Sequence, residues 1–169
     1  MNKEIKSWYL DNFKKFAEIK RKDSFKSIRE EASSRFEKSE FPTKKEEEWK
    51  YTNISPILKK EFIPSPISEQ AGIEKSDLGK YLIPGLDVHL LVLINGIFSK
   101  ELSSIKKEED GIIIDSFRNQ MLNNFDFLHE KMHTWKSDEN SFNLLNNAFT
   151  YDGFVVYVPK NKVIERPIH

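Results

Sequence analysis

The run His129-Glu130-Lys131-Met132-His133 holds two of the chain's four histidines at a separation of four. On a helix, residues i and i+4 share a face, so both imidazoles could bind one zinc ion while Glu130 acted as general base on its bound water. Asp138, Glu139, Asp152 and Glu165 follow as candidate third ligands. The context weakens this reading. Lys131 puts a charge where a buried zinc helix favours an apolar residue, and no further histidine occurs before His169. A solvated helix or loop explains the run better, and a zinc metallohydrolase stands only as the alternative.

Other constellations point away from catalysis. Trp49 and Tyr51 lie near Lys44, Lys45 and Lys50, an aromatic and basic mixture of the kind that stacks nucleobases, but Glu46, Glu47 and Glu48 cancel its field. The two rings are better read as anchors of an irregular segment on a core, with an independent partner-binding surface as the alternative. His89 sits inside the apolar run Val88–Ile94, where a hydrogen-bonded or outward-facing strand histidine is expected. Neither a G-x-x-x-x-G-K loop nor a G-x-G-x-x-G or G-x-S-x-G motif occurs. Cysteine is absent, which removes disulfides, thiolate nucleophiles and cysteinyl metal or cluster ligation from this chain. No catalytic, cofactor-binding or metal-binding residue is therefore assigned, and the expectation is a protein without an enzymatic activity or cofactor of its own.

Composition narrows the partners. The 169 residues carry 27 basic and 27 acidic side chains, a balance that argues against a dedicated nucleic-acid binder or a basic membrane surface. Thirteen Phe, five Tyr and three Trp supply the apolar area that a disordered chain lacks. The N-terminus has no apolar signal region, and no stretch nears the roughly 20 apolar residues of a membrane span. A cytoplasmic protein acting on other proteins is expected.

The elements that must position these residues can be read from periodicity. Ile5, Trp8, Tyr9, Phe13, Phe16 and Ala17 form one helical stripe. Phe25, Ile28, Ala32 and Phe36 form a second, with Asp23-Ser24 as its cap, so residues 1–62 should begin with an α-helical hairpin. Thr43 and Glu46 have capping-box spacing. Ile63-Pro64-Ser65-Pro66 is a connector into a small α+β region, 63–152. There Asn95-Gly96 predicts a hairpin with a type I′ turn, because both residues tolerate positive φ. Ile112–Ile114 predicts a strand, residues 116–134 a polar and mostly helical stretch, and Asn140–Phe149 a helix burying Phe142, Leu145, Ala148 and Phe149. Phe154–Val158 is a further strand. Residues 162–169 alternate like a strand and then stop, which suggests a piece of a longer protein.

Two segments carry a family resemblance. Phe41-Pro42-Thr43-Lys44-Lys45-Glu46-Glu47-Glu48-Trp49-Lys50-Tyr51-Thr52-Asn53 resembles the Pro-Thr-x-x-x-Glu-x-Trp-Lys-Tyr-Thr signature of the SufB/SufD family, in the form its SufD branch carries. The stretch from Asn143 to Lys160, with Leu145-Asn146-Asn147-Ala148-Phe149, Asp152-Gly153 and Val158-Pro159-Lys160, is similar to one that both branches share. Arg166-Pro167-Ile168 matches the place where the family's β-helix begins. The resemblance implies a scaffold subunit of the iron–sulfur cluster assembly machinery, with SufB and the ATPase SufC as partners of the full-length protein. It also implies an α+β fold whose residues 153–169 open a right-handed parallel β-helix. Such strands need stacked neighbours, so in this piece they would pair internally, pair with another copy, or fray. The cluster-handling residues of the family lie beyond position 169, and none is carried over.

Overall fold

The computed structural model describes residues 2–18, 25–63, 72–133 and 140–169, with Asn2 and His133 described by their backbone alone. The Asp23-Ser24 cap, most of the connector at 63–66, and the candidate ligands Asp138 and Glu139 lie outside the described residues. The fold is α+β and divides into two compact units. One comprises residues 1–64 with 126–150, the other residues 65–125 with 151–169.

The first unit is built on helices α1 (Asn2–Ala17) and α2 (Lys26–Lys38). Ile5 and Tyr9 of α1 and Ala32 and Phe36 of α2 are buried, as the apolar stripes require, whereas Ala17 stays in solvent. Helix α2 starts after Phe25, which occupies the cap position without a side-chain cap bond. Its main packing partner is a helix from much later in the chain, α6 (Ser141–Ala148). Asn140 caps α6 by accepting from the backbone N–H groups of Phe142 and Asn143 at 2.9 and 3.0 Å. The apolar face of α6 differs from the expected one. Leu144 and Ala148 are its buried apolar residues, while Phe142, Leu145 and Phe149 are half-buried.

An aromatic chain joins these elements. Tyr9 meets Phe36 edge-on at 6.4 Å, Phe36 meets Phe41 at 5.7 Å, Phe41 meets Phe142 at 5.5 Å, and Phe142 meets Trp49 at 5.6 Å. Thr43 and Glu46 make half of the expected box. The Glu46 carboxylate accepts from Thr43 N–H at 2.8 Å, but the Thr43 hydroxyl accepts from Lys45 N–H, and a single 3₁₀ turn, Glu47–Trp49, follows.

The second unit contains two small antiparallel sheets. β1 (Leu93–Ile94) and β2 (Ile97–Phe98) form the hairpin, with Asn95 at φ 51° and Gly96 at φ 82° supplying the type I′ geometry. The apolar run before it is less regular than its composition suggests, since His89 and Leu90 make only isolated bridges. β3 (Ile113–Ser116) pairs with β4 (Phe154–Tyr157) so that Ile114 faces Val156 and Ser116 faces Phe154. Helix α4 (Phe117–Asn123) starts from the Ser116 cap, whose hydroxyl accepts from Asn119 N–H at 2.9 Å, and buries Met121. α3 (Lys75–Leu78) is a single capped turn. α5 (Phe125–His133) runs on from the end of α4 and buries Leu128 in the first unit.

Candidate functional site

The most heavily engaged polar cluster in the second unit centres on His89, which is fully buried. Backbone pairing puts it there. Its N–H donates to Pro167 O at 2.9 Å and its carbonyl accepts from His169 N–H at 2.9 Å, a parallel bridge that fixes the end of the chain beside residues 89–91. On the other side Leu90 exchanges both backbone bonds with Ser104. Backbone pairing on both edges thus holds the segment that carries the buried imidazole.

The ring's hydrogen bonds define its tautomer. Nδ1 accepts from Lys106 N–H at 3.2 Å, so the proton resides on Nε2, which donates to Glu108 Oε1 at 2.7 Å. The same carboxylate oxygen accepts from Arg166 Nη1 at 3.2 Å, and Arg166 Nε donates to Asp87 Oδ2 at 2.9 Å. The Arg166 hydrogen bond, supported by Lys106, holds the Asp87 carboxyl below its ordinary range. Asp87 and Glu108 in turn hold the Arg166 guanidinium above its own. Beside this group, Lys162 is raised by its 2.6 Å bond to Glu109.

Chemically, this cluster is a clasp. Both imidazole nitrogens are occupied and no ring atom reaches solvent, so His89 has no nitrogen left for a metal or a substrate. The expectation of a hydrogen-bonded strand histidine is met. Its partner Glu108, and the Arg166 and Asp87 side chains joined to it, were not foreseen, because contacts from Glu108 and Arg166 to this strand segment come from distant parts of the chain that no local period connects.

Among the described residues, the members of the zinc pattern are not gathered into a site. His129 is half-buried on α5, and the adjacent Glu130 carboxylate is paired with Lys131 Nζ at 2.9 Å. The side chain of His133 lies outside the described residues. Asp152 is engaged elsewhere, its two oxygens each accepting at 3.1 Å from the N–H groups of Phe98 and Arg118. Among the described residues no group of three His, Cys, Asp or Glu side chains is placed to hold a metal ion. Trp49 is half-buried on Phe142, whereas Tyr51 is 90% exposed with Lys50 Nζ 5.5 Å from its ring centre. The two aromatics therefore form no shared platform. No helix of the described residues is long and apolar enough to cross a membrane.

These elements define an α+β chain whose polar clusters bind its own segments together. The family profile of the SufBD protein N-terminal region matches residues 3–169, and the chain belongs to that family. Over 128 residues, 76% of this chain, it is 27% identical to an iron–sulfur cluster assembly SufBD family protein of Synechocystis sp. (strain ATCC 27184 / PCC 6803 / Kazusa). The match spans 28% of that relative's length.

Proposed function

We propose that this chain is the N-terminal region of a SufD-like scaffold subunit that serves iron–sulfur cluster assembly through protein contacts, without catalysis or a cofactor of its own. The observation that carries the reading is the family match along residues 3–169. The Glu47-x-Trp49-Lys50-Tyr51 block favours the SufD branch. The absence of cysteine fits a role in which this region holds no cluster by thiolates. In this reading the full-length protein works in the cytoplasm with SufB and SufC, and the segment after Gly153 leads into a right-handed parallel β-helix. The parallel bridge between Ile168 and His89 supports an extended course there.

Co-purification tests the reading. The full-length protein should retain SufB and SufC through affinity and size-exclusion steps, and the 169-residue chain should retain neither. A full-length protein that binds neither subunit would overturn the assignment.

A further inference from the structure

A cavity of about 590 Å³ opens on the second unit, between the end of the β1–β2 hairpin, the end of β3 and one side of α4. That volume falls in the range of sites for small organic molecules. Its apolar wall comprises Phe98, Ile105 and Leu122, with Ile105 and Leu122 39% and 51% exposed. Side chains of that kind stay in water at a cost unless something covers them.

The polar wall is more informative, because most of it is already satisfied from within the chain. The Ser103 hydroxyl donates to Ser99 O at 2.6 Å and accepts from Val92 N–H at 2.9 Å. Asp115 Oδ2 accepts from the amides of Asn119 and Gln120 at 2.5 and 2.7 Å, and Asn119 Oδ1 accepts from Asn123 at 2.8 Å. Asp152 caps the N–H groups of Phe98 and Arg118, as described above. What remains are two cations, Lys100 and Arg118, for which the described residues provide no ion pair. The Arg118 guanidinium lies 5.0 Å from the Tyr151 ring centre, a stacking contact that pre-orients its donor fork. The two carboxylates of the wall, Asp115 and Asp152, are engaged by donors of the chain itself, so the charged donors left for a ligand are those of Lys100 and Arg118.

We propose that this cavity binds a small organic anion, its charged head held by Arg118 and Lys100 and its apolar body laid against Phe98, Ile105 and Leu122. A guanidinium fork matches carboxylate and phosphate alike, so the head group is either of these. The proposal does not rest on the scaffold reading, since the five residues that would touch the ligand carry no part of that argument.

Titration of the ¹⁵N-labelled chain with phenyl phosphate and, separately, with phenylacetate tests it, with benzyl alcohol and inorganic phosphate as comparators. One of the two aromatic anions should give saturable amide shifts at Phe98, Ser103 and Asn119 with a dissociation constant below about 1 mM, and the preferred one identifies the head group. Arg118→Ala and Lys100→Ala should each weaken that binding about tenfold. Lys100 is exposed and has no ion pair among the described residues, so its variant keeps the test valid should Arg118→Ala unfold. The proposal fails if neither anion saturates by about 10 mM, if benzyl alcohol or inorganic phosphate binds equally well, or if neither substitution changes the affinity.

Discussion

His89 Nε2 donates to Glu108 Oε1 across 2.7 Å in a place where the imidazole is fully buried and the carboxylate side chain only 10% exposed. A buried carboxylate keeps its charge at low cost only while donors surround it, and His89 and Arg166 are those donors. His89→Ala removes one donor, strands the Lys106 N–H and opens a void. It should lower stability by about 2–4 kcal/mol, read as a shifted urea midpoint with unchanged slope. A loss under about 1 kcal/mol would show that the cluster does not hold the second unit together.

The outer half of the clasp should respond to acid. Arg166 lowers the folded value of Asp87 beneath its ordinary 3.8, so the pair's contribution is complete above 3.8 and is lost as pH falls through the lower folded value. Carbon-detected NMR should place the Asp87 carboxyl midpoint below 3.8, and Arg166→Ala should raise it toward that value. The two side chains are 38% and 65% exposed, so added salt should shrink the difference. A midpoint that Arg166→Ala leaves in place would discard the pairing as its cause.

Trp49 and Tyr51 stand two residues apart in different surroundings. Trp49→Ala removes a ring packed on Phe142 and should cost about 2–3 kcal/mol, while Tyr51→Ala should stay within about 0.5 kcal/mol. Calorimetric melting of both variants decides it. The opposite order would revive the pair as a surface device held by Tyr51.

The hairpin turn isolates a backbone effect. A Cβ added to Gly96 meets no atom within 4 Å, yet its φ of 82° disfavours any L side chain. Gly96→Ala should therefore cost about 1 kcal/mol, and Gly96→Asn less, because asparagine tolerates this region. Urea unfolding of the two variants checks the order, and equal stability of all three proteins would contradict the turn assignment.

Much of the local structure was legible because it depends on near neighbours. The stripes Ile5/Tyr9 and Ala32/Phe36 and the Asn95-Gly96 turn each involve groups within a few residues, where period and φ preference suffice. Thr43 and Glu46 show the limit of such rules. The spacing predicted a capping box, but the local backbone used only one of its two side-chain bonds. The zinc-like run is the converse case, since sequence spacing cannot reveal that Glu130 turns to its own neighbour Lys131.

By itself the sequence determined the helical stripes of α1 and α2 and the turn at Gly96, which follow from periodicity and φ preference, and its two short motif blocks carried the family resemblance. Tertiary structure alone decided which distant segments complete each unit. α6 returns to α2 across more than a hundred residues, and Arg166 reaches back to Asp87 and Glu108 to seal His89. It also decided that Leu144, and not its aromatic neighbours, fills the core of the first unit. The physical reason is the same in each instance. Burial of apolar area and of a charged cluster depends on what arrives from elsewhere in the chain, and no local period encodes that arrival.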